Sequence, residues 1–153
     1  MKVNTATRKY IFIVSIFVLS IGIYINTLPN KFVFDDVFLV EQNPTIRKID
    51  LVKIFTSNYW AGTSYEKSNI EKNIFLYRPL TILTFSIDYF FWGKNSVGYH
   101  LTNIILYAIV SLLAFFLVRK ILLLQNWNFI LSENIAFFVA LLFSVHPIHT
   151  EAV

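Results

Sequence analysis

This 153-residue chain contains no cysteine, and charged residues make up only 14% of it. Without thiols it can form neither disulfides nor thiolate metal sites, and cysteine usage leaves the redox compartment open. Soluble domains carry about 25% charged residues, and a mean hydropathy of +0.61 also indicates that much of the chain avoids water. No Lys/Arg-rich run is present, which argues against nucleic-acid binding. The predicted class is an all-α integral membrane protein.

Three apolar segments are predicted to cross the membrane, at about 10–28, 98–124 and 130–146. A spanning helix needs about 20 apolar residues, so the third is short and is expected to be tilted or completed beyond residue 153. The first follows Lys2, Arg8 and Lys9, as in a signal peptide. Its apolar run exceeds a signal core of about 7–15 residues, however, and no small-residue cleavage site follows. It is therefore predicted to be an uncleaved span with a cytoplasmic N-terminus.

Residues 29–97 are predicted to form a long first external loop with amphipathic helices in the membrane interface. One helical pattern covers 50–55, with Asp50 as N-cap. The other covers 79–92, where Pro79 suits the first turn and a polar stripe recurs at Thr81, Thr84 and Asp88. Residues 62–73 have the composition of a solvated loop.

A competing topology makes residues 74–92 a span. It would bury Arg78 and Asp88 at membrane depth, and insertion of each charged side chain near the centre of the bilayer costs about 2.5–3.5 kcal/mol. It would also place Arg119 and Lys120 outside, against the positive-inside rule. The preferred topology keeps Lys2, Arg8, Lys9, Arg119 and Lys120 in the cytoplasm, and it brings three polar clusters to the external face.

The first cluster is the adjacent acids Asp35 and Asp36. In the simplest interpretation, one caps a helix and the other is solvated. Apolar neighbours or a second carboxylate raise the pKa of an acid, so one of the pair is alternatively suited to act as a general base on an acceptor hydroxyl. Only one of them is expected to point into a site if the segment is extended.

The second cluster comprises Arg78 and His100. Arg78 either extends to the lipid headgroups or pairs with Asp88, or it binds a lipid-linked phosphate through its planar fork of donors. His100 either caps its helix or meets the same phosphate.

The third cluster comprises His146, His149 and Glu151. The spacing of the two histidines is compatible with a metal site on a helix, but Pro147 interrupts that helix and no third histidine follows. No metal or other cofactor is therefore predicted. The alternatives are hydrogen bonding to substrate, orientation of Asp35, or termination of the helix.

These clusters occur within three longer motifs, FVFDDVFLVEQNPTI, YRPLTILTFSIDYFFWGKNSVGYHLTNIILYA and LLFSVHPIHTEAV. Their order resembles the transmembrane and tetratricopeptide-repeat O-mannosyltransferase family and its bacterial and archaeal relatives. The resemblance covers nearly all of residues 28–153, with one departure at Tyr107, where a histidine is expected in many relatives.

The resemblance implies the N-terminal part of a C-type (GT-C) membrane glycosyltransferase fold. Such enzymes transfer a sugar, here mannose, from a polyprenyl-phosphate donor to a protein or glycan hydroxyl on the non-cytoplasmic face, with inversion. Asp35 would be the base, and Asp36 would assist it or bind the acceptor. Arg78 with His100 or His146 would stabilise the leaving phosphate, and His149 and Glu151 belong to the same substrate-binding set.

The family is longer than this chain, so a fragment that is inactive alone is expected, with the repeats beyond residue 153. The predicted location is a bacterial inner membrane, with the endoplasmic reticulum membrane as the alternative. The rival function is a non-enzymatic membrane anchor or a transporter subunit. A transporter is expected to carry charges within its spans, and here the charges gather outside them.

Overall fold

The computed structural model describes residues 4–68 and 76–151, without the side chains of residues 67, 68 and 151. The described residues form helices and contain no strand, in agreement with the predicted all-α class. The chain divides into two compact units. We call Met1–Leu28 with His100–Val153 the span unit, and Pro29–Tyr99 the loop unit.

The span unit contains α1 (Thr5–Tyr24), α5 (Ser96–Leu124) apart from residues 96–99, and α6 (Phe129–Val145). Within the described residues, two helical stretches are long and apolar enough to cross a membrane, Thr5–Thr27 with 23 residues and Ser96–Leu124 with 29. With 17 residues, α6 is shorter, as its sequence predicted. The first helix begins before residue 10, the predicted boundary, because the Asn4 side chain caps it by accepting the Ala6 N–H at 3.2 Å.

Small residues on α6 let the helices of the span unit approach closely. Four of them recur every fourth position and are buried: Ser132, Ala136, Ala140 and Ser144. Ile16 of α1 and Phe115 of α5 pack against this stripe. Spanning helices lack a hydrophobic driving force between them, so close packing of small residues favours their association.

One buried carboxylate joins the three helices at one end of the span unit. Glu133 is fully buried, and its Oε2 lies 2.6 Å from Arg8 Nη2 while its Oε1 lies 3.3 Å from Arg119 Nε. Arg8 lies near the start of α1, Arg119 near the end of α5 and Glu133 near the start of α6. α5 is therefore antiparallel to both other helices. The sequence analysis treated the spans as almost free of charge and missed Glu133.

The loop unit contains a π-helical turn (Val37–Glu41), a 3-10 turn (Thr45–Arg47) and the helices α2 (Leu51–Thr56), α3 (Ser64–Ser68) and α4 (Pro79–Trp92). Both predicted helices are confirmed. Asp50 caps α2, because its Oδ1 accepts the Lys53 N–H at 3.0 Å, and Pro79 occupies the first turn of α4. The buried core of this unit comprises Leu39, Val40, Ile46, Ile54, Tyr59, Trp60, Ile82 and Tyr99.

The prediction of a solvated loop over 62–73 is wrong for its first part. Thr63 is fully buried, and α3 follows it. Gly62 allows this turn with a φ of +81°, in the region that glycine adopts without strain. Its N–H donates to Glu66 Oε2 at 2.8 Å, which ties the turn to the helix. Residues 69–73 lie outside the described part of the chain.

Helix α4 directs its polar residues inward and an apolar face outward. Ser86 and Asp88 are buried, while Leu80, Ile87 and Phe91 are exposed. These three positions lie seven and four residues apart, which places them on one face of a helix. An exposed apolar face on a helix of a membrane protein suits the interface of the bilayer, so the interfacial position of α4 stays a prediction with this support.

The charged cluster yields a stability prediction. We expect Glu133→Gln to destabilise the protein by about 3 kcal/mol, because removal of one partner leaves the other charges buried without compensation. Thermal unfolding in detergent measures the effect. Glu41→Gln, at an exposed acid, is the matched control and should leave the unfolding temperature unchanged.

A triple replacement of Arg8, Glu133 and Arg119 by methionine should recover most of the loss, because an apolar substitute avoids the desolvation of all three charges. Equal unfolding temperatures for the wild type and Glu133→Gln would contradict the role given to the cluster.

Candidate active site

The backbone before Asp35 adopts a conformation that bulky residues rarely adopt. Phe34 has a φ of +48°, which is an outlier for a side chain of its size, and its side chain is 89% exposed. The Asp36 N–H closes the turn by donating to the Val33 carbonyl at 3.1 Å. Strained backbone of this kind is found preferentially at functional sites.

After this turn the chain enters the π-helical turn, whose residues Leu39 and Val40 are buried in the core of the loop unit. The condition under which only one acid would point into a site, an extended segment, is not met, because Asp36 has helical backbone angles of −63° and −32°. Asp35 is exposed and Asp36 is half-buried. π-Helical turns are rare and frequently accompany functional sites.

Arg78 is held beside Tyr59 by hydrogen bonds of the neighbouring backbone. The Tyr59 N–H donates to the Leu76 carbonyl at 2.7 Å, and the Leu76 N–H donates to Asn58 Oδ1 at 3.4 Å. The guanidinium carbon of Arg78 lies 5.5 Å from the centroid of the Tyr59 ring, within the range of a cation–π contact. A small cleft lined in part by Ser57, Asn58 and Tyr59 opens beside them.

Three predicted site residues act on the phenol of Tyr59. Burial and the charge of Asp35 raise the Tyr59 pKa above its usual value; Arg78 lowers it and Asp36 raises it. The charges of Asp35, Asp36 and Arg78 therefore all act on the phenol of Tyr59, although the catalytic and binding roles of these residues stay predictions. The sequence analysis missed Tyr59, whose only signal was a Tyr-Trp pair in a polar segment.

The two histidines follow the C-terminal end of α6, which ends at Val145. His146 has extended backbone angles, and residues Pro147–Glu151 form a 3-10 turn, so the predicted interruption at Pro147 is confirmed. His146 is exposed, and its Nδ1 accepts the Ile148 N–H at 3.2 Å. That contact favours the tautomer with the proton on Nε2, which leaves this nitrogen as a hydrogen-bond donor.

Tyr107 supports the second histidine. Its hydroxyl donates to the carbonyls of Phe143 and Ser144, at 2.9 and 3.1 Å. The His149 ring lies 5.2 Å from the Tyr107 ring and 4.5 Å from the Phe143 ring, measured between centroids. Tyr107 stands where a histidine is expected in many relatives, and its phenol joins α5 to the end of α6.

The residues of the three predicted clusters are divided between the two units, and the second cluster is itself split. Asp35, Asp36 and Arg78 belong to the loop unit, and His100, His146 and His149 belong to the span unit. Their predicted convergence therefore stays a prediction. His100 is half-buried on α5, and the side chain of Glu151 lies outside the described part of the chain. Over the described residues, no three His, Cys, Asp or Glu side chains are grouped as metal ligands would be.

The Tyr59 environment yields a titration prediction. A raised pKa keeps the phenol neutral to higher pH, and the stability linked to this shift is lost as pH rises through the folded pKa. We expect Asp35→Asn to lower the Tyr59 pKa and Arg78→Gln to raise it. Site-specific fluorotyrosine at position 59, titrated by ¹⁹F NMR, measures both shifts. Shifts of the same sign in the two variants would contradict the assigned electrostatics.

Comparison with known proteins places the chain among curated relatives. It is 39% identical over 136 residues to Protein O-mannosyl-transferase F38B6.6 of Caenorhabditis elegans, covering 88% of this chain and 18% of that protein. It is 37% identical over 132 residues to Protein O-mannosyl-transferase TMTC1 of Homo sapiens, with 85% and 14% covered. It is 35% identical over 164 residues to Protein O-mannosyl-transferase Tmtc3 of Drosophila melanogaster, with 98% and 17% covered.

No family model matches the chain, and no solved structure matches it. The chain spans less than a fifth of the length of these curated relatives. Similarity of 35–39% over most of its residues nevertheless confirms the resemblance drawn from its motifs. The chain is homologous to the transmembrane and tetratricopeptide-repeat protein O-mannosyltransferase family.

Proposed function

We propose that the whole protein transfers mannose from a polyprenyl-phosphate donor to a hydroxyl of a protein or other acceptor on the non-cytoplasmic face of the membrane, with inversion. One observation carries the proposal: the charges of two carboxylates and of a guanidinium that lies over its ring act on one phenol in the loop unit. A glycosyl transfer of this type needs a base for the acceptor and a cation for the departing phosphate, and this cluster contains both.

Asp35 is the proposed base. It is exposed, and the strained turn at Phe34 presents it at the start of an anchored segment. Its carboxylate takes the proton of the acceptor hydroxyl while the hydroxyl oxygen bonds to the anomeric carbon of the sugar. The bond between that carbon and the phosphate oxygen breaks, and the polyprenyl phosphate leaves with the electron pair. Attack opposite the leaving group inverts the anomeric centre. Asp36 assists Asp35 or binds the acceptor.

Arg78 is the proposed partner of the phosphate. Its guanidinium is exposed and lies over the Tyr59 ring, and the five N–H donors of a guanidinium suit a bidentate contact with a phosphate. The charge that develops on the leaving oxygen is stabilised most by a cation fixed beforehand. Tyr59 contributes to that fixation, because its ring lies 5.5 Å from the guanidinium carbon of Arg78.

The histidines would complete the binding of the substrates. His100 and His146 suit the leaving phosphate as hydrogen-bond donors, and His149 and Glu151 are assigned to the same set. This arrangement, with three spans and a long first external loop, is the proposed N-terminal part of a GT-C fold. A bacterial inner membrane, with the endoplasmic reticulum membrane as the alternative, stays the predicted location.

The proposed topology receives support from the Glu133 cluster. If residues 74–92 were a span, α1 and α5 would cross the membrane in the same direction, and Arg8 and Arg119 would be on opposite faces. Instead both arginines contact one carboxylate. This geometry favours two helices that cross in opposite directions, with residues 29–97 returning to the side from which they started.

The catalytic proposal predicts that Asp35→Asn abolishes mannosyl transfer in the native protein that contains these residues, with normal expression and insertion. The fall should be at least about 10²-fold, the low end of what a general base contributes. The assay measures transfer of radiolabelled mannose from the lipid-linked donor to protein. Asp50→Asn is the matched control, because asparagine caps α2 as well as aspartate does. Full transfer by Asp35→Asn would exclude Asp35 as the base.

The topology can be tested by cysteine labelling, since the chain has no cysteine of its own. Lys48→Cys in the loop unit and Gln125→Cys after α5 are both at exposed positions. A membrane-impermeant maleimide added to intact cells or sealed vesicles of known orientation should label position 48 from the non-cytoplasmic side and position 125 only after permeabilisation. The reverse pattern would invert the proposed orientation.

A further inference from the structure

The Glu133 cluster carries more positive charge than its carboxylate neutralises. Arg8 and Arg119 share the single carboxylate of Glu133, so one positive charge remains. Lys9 and Lys120, the next residue after each arginine, add two more at the same end of the span unit. A cluster whose only purpose was to join three helices would need no such excess.

The two guanidinium groups have donors to spare. Each uses one nitrogen on Glu133, Nη2 for Arg8 and Nε for Arg119, whereas a guanidinium offers five N–H groups. Among the described residues, Nε of Arg8 is buried without a hydrogen-bond partner. Both arginine side chains retain 21% exposure, so an acceptor approaching from outside the helices can reach them.

Aromatic side chains place this end of the span unit at headgroup depth. Tyr10, Trp127 and Phe129 are exposed around the cluster, and the Arg119 guanidinium lies 5.0 Å from the centroid of the Phe129 ring. Tyr and Trp concentrate at the level of the lipid headgroups in membrane proteins. Beyond them, α1 exposes apolar residues such as Val14 and Val18, which suit acyl chains rather than a peptide.

We propose that Arg8 and Arg119, held together by Glu133, bind the headgroup phosphate of an anionic phospholipid, and that the neighbouring Lys9 and Lys120 add to the attraction. Basic pockets between spanning helices bind anionic headgroups through charge and hydrogen bonding, and arginine suits phosphate through its planar fork. Glu133 fixes the two guanidinium groups side by side, and each keeps nitrogens that do not contact Glu133 for an incoming phosphate. The site is distinct from the residues of the proposed mannosyl transfer and does not depend on that activity.

The test uses the native protein in phosphatidylcholine nanodiscs, with every tryptophan except Trp127 replaced by phenylalanine, Trp60 and Trp92 among them. Brominated phosphatidylglycerol or brominated phosphatidylcholine is added at increasing mole fraction, and quenching of Trp127 is recorded. We expect the anionic lipid to quench at a several-fold lower mole fraction, because each basic residue near an anionic surface contributes about a five-fold preference.

Variants separate the site from general charge attraction. Lys9→Gln/Lys120→Gln removes one half-buried and one exposed charge without touching the Glu133 contacts and should remove most of this preference. Lys48→Gln/Lys94→Gln, at exposed lysines of the loop unit, should leave it unchanged. A second reporter protein keeps Trp92 and carries Trp127→Phe instead. Quenching of Trp92 should show a smaller preference for the anionic lipid.

Two kinds of result would overturn the proposal. One is equal quenching by the two lipids in the wild type, or an equal loss in both double-lysine variants. The other is displacement of the lipid preference by inorganic phosphate at matched ionic strength, which would make the site a receptor for free phosphate. Failure of either kind leaves the outcome for Asp35→Asn in the transfer assay untouched, so the two proposals are tested separately.

Discussion

The span unit depends on one carboxylate that water does not reach. Glu133 meets a guanidinium on each side, and those two groups come from the start of one helix and the end of another. An unpaired acid in this position would be expensive in a bilayer, so the three helix ends have to remain together once they are buried. The relative direction of the helices follows from this contact, and the small residues of α6 then allow their surfaces to close.

In the loop unit, hydrogen bonds to the backbone bring residues that are distant in sequence to the side chain of Tyr59. The N–H of Tyr59 and the side chain of Asn58 both bond to Leu76, and this pairing sets Arg78 against the Tyr59 ring. The charges of both acids act on the same phenol, and Leu39 and Val40 anchor the turn that follows the acids. The placement of Arg78, the two acids and the phenol therefore depends on packing in the core of the loop unit, although Asp35 and Arg78 are exposed.

Much of the helical framework could be predicted from local sequence, because spans and caps are encoded over short distances. Asp50 and Pro79 identified the starts of α2 and α4, and the apolar runs identified α1 and α5. The role of Glu133 could not be recognised in the same way, since it depends on a contact with Arg8, which lies 125 residues away in the sequence. Tyr59 was missed for the same reason. The burial of Thr63 was missed because a polar stretch gives no local sign that a turn will fold inward.

The left-handed backbone of Phe34 has a consequence for how the acid motif behaves when the loop unit opens. A bulky side chain at a φ of +48° is held there only by the structure around it, so local unfolding allows the backbone to relax toward extended angles. Relaxation at Phe34 rotates the chain that carries Asp35. The orientation of the acid and the folding of its neighbours are thus a single cooperative event, and Asp35 is presented in its observed direction only while Leu39 and Val40 remain buried.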